Sequence, residues 1–451
     1  MKVSDFSRYA LTWFVAVALL SGCGSQTLPY MQNGSLLHTL NATGAGKITH
    51  IVYIVQENRS FDNMFQGYPG ADTVPKGKNS KGKTIVLAPS KLGAWYDIDH
   101  SVAAMTAACN GPKNELPGTD CRMDGFDNEW TDAGFKNSQY VYVPHDQSKP
   151  YFDMAHQGVL ADRMFQSQLD ESFVAHQYVI AGQAAWSADL PTGAWGCENH
   201  EAATVRTITE QRTLGSYQKA CFDYQTLGDE LDNAKLSWRF YASQYGSASS
   251  GTGGTWSSYQ AIKHIYNGPD WKRNVISPNW KFIKDVRAGK LANFTWITPV
   301  CDDSDHTNCP DDYGPSWVSA LVNTVGKSKF WDSTAIFIQW DDWGGLYDHV
   351  PPPHLDRDSL GFRVPLIMLS PYAKHDYVSH VQYETASVLR FAENLFGLAQ
   401  MAPADKRANS PAADCFDFSQ KPRKFVPIKA PLPPKFFMRQ FNDDYFAPDY
   451  E

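Results

Sequence analysis

The stretch HIVYIVQENRSFDNMF, residues 50–65, decides how this chain folds. Ile51-Val52-Tyr53-Ile54-Val55 is an apolar run without polar alternation, the pattern of a strand buried on both faces. It stops abruptly at Gln56-Glu57-Asn58-Arg59-Ser60. Ser60 reads as a helix N-cap with Phe61 packing beneath it. The first run extends over Ile48–Val55, and similar runs recur at Leu236–Tyr241, Phe294–Val300, Thr334–Trp340 and Val364–Leu369. Helical patterns lie between them, at Asp153–Ala161, Val174–Gln183, Trp317–Val325 and Tyr383–Phe396. The alternation predicts an α/β fold with a mainly parallel central sheet and helices on both faces. Gly246–Ser258 reads as a loop inside one domain, and Pro411 to Pro434 as a surface segment.

Charge gathers where these strands end. The first gives Glu57-Asn58, the third Cys301-Asp302-Asp303-Ser304-Asp305-His306, the fourth Asp341-Asp342. Ligands of open parallel sheets bind beyond the carboxyl ends of the strands, so the pattern predicts a site on that edge. Solvated loop acids are the plain alternative for any one strand; three strands with the same ending weigh against it. In QWDDWGGLYDHVPPP, residues 339–353, the adjacent carboxylates repel unless a cation or a proton separates them. Hard oxygen donors suit a divalent ion, and Gly344-Gly345 permits a tight turn.

The remaining composition narrows the field. With 451 residues, 43% of them hydrophobic, the chain can bury a large core. A net charge of −8 argues against a nucleic-acid partner. Lys2 and Arg8 precede an apolar run, Ala10 to Leu20, too short to span a bilayer, as in a secretory signal. Leu20-Ser21-Gly22-Cys23 resembles a bacterial lipobox, with Cys23 the lipidated residue and an ordinary signal peptide as the alternative. The expected division is a signal peptide over 1–22, a tether over 23–46 and a catalytic domain over 47–451. An exported, envelope-bound lipoprotein follows, with Gly24 pointing weakly to the outer membrane. Export permits disulfides, and proximity suggests Cys109–Cys121, Cys197–Cys221 and Cys301–Cys309, leaving Cys415 unpaired.

Several familiar motifs fail on context. Gly77-Lys78-Asn79-Ser80-Lys81-Gly82-Lys83-Thr84 fits the P-loop pattern but has a poor strand before it and a poor helix start after it. It reads as a basic loop. No H-E-x-x-H and no G-x-S-x-G occurs.

QENRSFDNMF and WDDWGGLYDHVPPP resemble the two hallmark stretches of the bacterial phospholipase C / acid phosphatase A phosphoesterase family, within the alkaline-phosphatase-like superfamily. The resemblance continues through YFDMAHQGVLADRMFQS (151–167), DDSDHTNCPDDYGPSWVSALVN (302–323) and GFRVPLIMLSPYAK (361–374), in the expected order. It implies one or more divalent metal ions held by Glu57, Asn58, Asp341 and Asp342. The nucleophile it implies is Ser172, at a helix start six residues before Tyr178. There the flanks depart from the family pattern: Asp170-Glu171 stands for the usual Gly-Pro, and Val174 for a Pro. His306 is the implied catalytic histidine, and His100 and His264 the implied phosphate-pocket residues. His176 and His349 lie near key positions, with supporting or structural roles at least as well supported. Arg59, Ser60, Phe61 and Asp62 read as residues that orient Glu57 and Asn58.

The resemblance implies a metal-dependent phosphoesterase working through a phosphoseryl intermediate. Its substrate would be a phosphorylated small molecule or a phospholipid, with a membrane reached through the lipid anchor. The serine nucleophile and the short chain beyond the catalytic region favour an acid-phosphatase-type phosphomonoesterase over a phospholipase C. A sulfatase would need C-x-P-x-R, which is absent, and a noncatalytic surface lipoprotein would have no need of the assembled acids.

Overall fold

A computed structural model describes residues 43–193, 195–243, 256–309 and 311–439. The expected signal peptide, Cys23 and most of the tether lie outside the described residues, as does most of Gly246–Ser258. The described residues fall within one compact unit. No helix among them is long and apolar enough to cross a membrane.

The core is an eight-stranded sheet. Its strands are β1 (His50–Gln56), β2 (Val159–Ala161), β3 (Trp238–Tyr241), β4 (Val275–Ile276), β5 (Phe294–Ile297), β6 (Thr334–Trp340), β7 (Leu366–Leu369) and β8 (Tyr377–Ser379). They lie in the order β4-β3-β5-β1-β6-β7-β2-β8. β1 sits between β5 and β6, parallel to both, with Ile54 opposite Ile297 on one side and Ile338 on the other. Only β7 runs against its neighbours. It follows β6 without a helical crossover, and an antiparallel partner is what such a connection allows. The β6 boundaries are those expected, while β7 starts late because Pro365 cannot donate to the ladder.

The helices that matter are α1 (Phe61–Phe65), α2 (His145–Gln157), α3 (Ser172–Ala181), α4 (Gly314–Gly326) and α5 (Ala386–Phe396). Two expectations are corrected here. Asp153–Ala161 does not form one helix: α2 begins earlier, runs through Pro150 and ends before Gly158, after which 159–161 is strand β2. A Cβ at Gly158 would lie 2.1 Å from the Met368 carbonyl, so only glycine lets the chain turn this close to β7. Tyr383–Glu384 is likewise not helical but pairs with Met164–Phe165. α3 and α5 both end in left-handed glycines, Gly182 and Gly397. An antiparallel sheet of Ser187–Thr192, Thr204–Ile208 and Leu214–Lys219 has too little apolar alternation to be read from sequence.

The P-loop-like segment is a hairpin, with Lys76–Lys78 paired to Thr84–Val86, which excludes a phosphate-cradling strand–loop–helix. The three disulfides join Cys109 to Cys121, Cys197 to Cys221 and Cys301 to Cys309, and Cys415 is a buried thiol.

α5 also carries a pH-sensitive weakness. Burial, with the adjoining Asp405 carboxylate, pushes Glu393 up to about 9. The folded state therefore holds a proton that the unfolded chain releases above its ordinary 4.5, and stability falls as pH rises from there toward 9. Glu393→Gln is neutral at every pH and so removes that cost. Its melting temperature should match wild type near pH 4 and exceed it by a few degrees at pH 8, read by thermal unfolding across that range.

Candidate active site

β1 and β6 are adjacent, so their carboxyl ends deliver two polar pairs to one place. Asp341 N–H donates to the Gln56 carbonyl at 2.9 Å, the last rung of the ladder, and Asn58 N–H donates to Asp341 Oδ1 at 3.0 Å. Asn58 takes a left-handed conformation (φ 55°), which asparagine tolerates, and turns the chain sharply into α1. Ser60 caps that helix by accepting from Asn63 N–H, and its hydroxyl donates to the Tyr347 carbonyl at 2.7 Å. Gly344 (φ 60°) lies so close that a Cβ would sit 2.4 Å from the Asn58 carbonyl. The glycine pair thus lets the loop after β6 press against the turn after β1.

Ser172 is the first residue of α3. In the turn before it, Asp170 accepts from the N–H groups of Glu171 (2.8 Å) and Asp189 (2.7 Å). Those bonds fix the turn where the family pattern has Gly-Pro. Ser172 Oγ lies 3.3 Å from each of Glu57 Oε2, Asn58 Oδ1 and Asp342 Oδ2. All of these side chains are fully buried.

One hydroxyl proton cannot serve three acceptors, and the crowding goes further. The Asn58 carboxamide has one end 3.2 Å from Glu57 Oε2 and from Asp341 Oδ1, and the other 2.9 Å from His100 Nε2 and 3.0 Å from His306 Nε2. His100 Nδ1 donates to the Ile98 carbonyl at 2.8 Å, which leaves Nε2 as acceptor. Neither orientation of the amide supplies protons for all of the Glu57, Asp341 and Asp342 oxygens around it. Asp341 Oδ2 is buried without a hydrogen-bond partner among the described residues. Converging acceptor oxygens with too few protons are the donor set of a hard divalent cation, and the residues present fit one. The donor set alone does not select among divalent ions.

The structure brings together Glu57, Asn58, Asp341, Asp342, Ser172, His100 and His306. It adds His176, one helical turn beyond Ser172, whose Nε2 lies 2.9 Å from Glu57 Oε1 and 3.6 Å from Asp341 Oδ2. The four-residue spacing on α3 was the available signal. His306 Nδ1 accepts from Asn308 N–H at 3.2 Å, which places its proton on Nε2, the atom facing the site. Trp256 stacks against its ring at 6.1 Å. Next to it, burial pushes Asp305 up to about 7, against the bond from Tyr151 and the charge of Arg59. Arg59 ties the turn after β1 to this segment by donating to the Asp305 carbonyl at 2.6 Å.

His264 is not brought to the site. It is held between Asp223 (2.7 Å) and Asp229 (3.0 Å) on a partly exposed surface. Burial lowers its imidazole, but those two carboxylates outweigh that and raise it. His264→Ala should leave kcat/KM within about twofold of wild type, the size of change expected of a residue touching neither substrate nor reacting atoms.

Sequence reading also missed a buried clasp. Arg363 grips Asp348 through Nε (2.8 Å) and Nη2 (3.0 Å), with its guanidinium over the Phe61 ring. Asp348 accepts from Asp62 N–H (3.1 Å), and Asp62 binds His349 Nδ1 (2.6 Å). Burial, then the Asp348 charge, raises Asp62 above the usual carboxylate range. Burial lowers His349, yet its bond to Asp62 and the nearby acids raise it overall. The clasp fastens the start of α1 to the loop after β6, and so holds the two polar pairs in register.

The model of the Phosphoesterase family matches residues 48–399. The chain is 24% identical over 391 residues to the non-hemolytic phospholipase C of Burkholderia pseudomallei, across 77% of this chain and 55% of that protein. It therefore spans about half the length of that relative. It is 24% identical over 395 residues to phospholipase C A of Mycobacterium tuberculosis, across 78% of this chain and 73% of that one. Among solved structures it is similar to a protein in the alkaline phosphatase superfamily from Vibrio parahaemolyticus, at 10% identity and a TM-score of 0.38, covering 82% of this chain and 72% of the other.

Proposed function

This chain belongs to the Phosphoesterase family, and from that premise we propose that it hydrolyses phosphate esters at the buried site after β1 and β6, with Ser172 as nucleophile. The observation that carries the proposal is the Ser172 hydroxyl, set at a helix N-terminus within 3.3 Å of three acceptor oxygens. Glu57, Asn58, Asp341 and Asp342 would hold the divalent ion. When bound, that ion supplies positive charge that favours the ionised serine and offsets the charge of the phosphate oxygens.

The chain's own residues do the rest. Ser172 Oγ forms a bond to phosphorus as the bond to the leaving alcohol breaks; the proton the serine gives up passes by way of water to that alcohol, and His306 Nε2–H donates a hydrogen bond to the departing oxygen. The first N–H groups of α3 face the phosphate oxygens in the geometry that favours anions at helix starts. Water then attacks phosphorus as the bond to Ser172 Oγ breaks, and the proton that water loses returns to the serine oxygen. Burial excludes bulk water, so charge interactions here count for more than they would in solution.

Two substrate classes compete. The phosphomonoester reading rests on the serine nucleophile. The names of the two relatives described above, both phospholipases C, weigh toward a phosphodiester of lipid headgroup type, and we give that reading precedence. Purified protein assayed with p-nitrophenyl phosphate and p-nitrophenyl phosphorylcholine side by side decides: faster release from the phosphorylcholine ester supports the phosphodiesterase, the reverse supports the monoesterase.

A further inference from the structure

We propose that the flap formed by residues 91–99 and 130–136 is a docking surface for the lipid–water interface of a zwitterionic phospholipid bilayer. The proposal rests on the phosphodiester reading of the site for its substrate, and on the flap itself for its surface.

The flap is two short segments joined by an antiparallel bridge between Ile98 and Thr131. Its underside is buried. Tyr96 and Ile98 pack with Val141 and with Leu346 of the loop after β6, and a Cβ on Gly345 would lie 2.3 Å from Ile98. The flap is thus seated on the loop that carries Asp341 and Asp342. It also carries His100 into the site, and its Asp97 accepts from Asn308, two residues beyond His306.

Its outer face is unlike the rest of the surface. Trp95, Trp130 and Phe135 are 66%, 56% and 48% exposed. Among the described residues the other exposed large aromatic side chains have cationic caps: Arg357 covers Trp186 at 4.3 Å and Arg206 covers Tyr217 at 4.9 Å. Phe135 meets only the edge of Tyr96. Trp95 and Trp130 have no ring or cation contact among the described residues. Trp130 is fixed through its carbonyl, which accepts from Asp99 N–H at 3.0 Å, one residue before His100. Trp95 precedes His100 by five residues, about 17 Å of extended chain at most.

Chemistry selects the occupant. Two open indoles and a phenyl ring on a rigid base are amphipathic groups that settle at the headgroup level of a bilayer. The charges on the two segments are Lys91 and Lys136 against Asp97, Asp99 and Asp132, so there is no basic surplus to select anionic lipid.

The test uses the chain from Gly24 onward, free of both the acyl chain and the apolar run Ala10–Leu20, with and without Trp95→Ser and Trp130→Ser together. Phosphatidylcholine vesicles are floated with each protein. The parent should co-float, and the double variant should lose roughly tenfold in bound fraction and in hydrolysis of vesicle lipid. Its kcat/KM on soluble p-nitrophenyl phosphorylcholine should not change. Equal flotation of parent and variant, or flotation only with phosphatidylglycerol, overturns the proposal. If the double variant fails to fold, quenching of the parent's tryptophan fluorescence by brominated phosphatidylcholine replaces it, and no quenching overturns the proposal. Failure of the parent to cleave the soluble ester counts against the phosphodiester reading alone, because flotation still scores the surface.

Discussion

Ser172→Ala lowers kcat by about 10⁴-fold or more on whichever ester the wild type prefers, and leaves the fold intact. The size follows from what is lost: the only atom that bonds to phosphorus. The tolerance follows from what is kept. The Ser172 hydroxyl is fully buried and faces its acceptors at 3.3 Å, long for an O–H donor, so deleting it removes one weak hydrogen bond. α3 depends on the backbone and on the turn that Asp170 fixes, not on this side chain. The melting temperature of the variant, measured without added metal, should lie within a few degrees of wild type. A loss of activity accompanied by unfolding would instead make Ser172 a packing residue.

Asp342→Asn separates metal binding from folding with effects of opposite sign. In wild type freed of metal by a chelator, Glu57, Asp341 and Asp342 stand close together in a buried place, and like charges so placed destabilise the folded state. Asn at 342 relieves part of that repulsion, so the metal-free variant should melt higher than metal-free wild type. Added divalent ion should then reverse the order. A ligand bound only by the folded state at about a hundred times its dissociation constant adds roughly 2.7 kcal/mol, and the variant should gain far less. Turnover should fall by about 10³-fold in the variant. Thermal unfolding of both proteins with and without chelator reads the first effect, and the same samples assayed for p-nitrophenol release read the second. A wild-type melting temperature indifferent to divalent ions would leave the acid cluster without its proposed role.

Much of this was legible in the chain because strands buried on both faces need continuous apolar sequence. Ile51–Val55 and Thr334–Trp340 are such strands, and their abrupt endings mark the edge where the site lies. Adjacent acids after a buried strand are costly unless something balances them, so Asp341-Asp342 announced itself. The local cysteine pairs were readable from proximity alone. What was not legible depends on partners far apart in sequence. Arg363 and Asp62 meet across the fold, and nothing around either residue predicts it. His264 looked like a pocket residue because family resemblance does not show that Asp223 and Asp229 already hold it. Pro150 hid the true start of α2, because a proline inside a helix reads as a break. Ser172 itself was reached through resemblance, in a stretch whose flanks depart from the family pattern, and its position relative to Glu57, Asn58 and Asp342 emerges only from the fold.

The most direct measurement is rapid acid quench of wild-type protein during its first turnover, followed by mass spectrometry of the peptides. The peptide containing Ser172 should gain the mass of the phosphoryl group, with any headgroup the ester carried, in step with release of the leaving alcohol. The Ser172→Ala peptide should gain nothing. An adduct on a different residue, or undiminished alcohol release by Ser172→Ala, would contradict the assignment of Ser172 as the nucleophile.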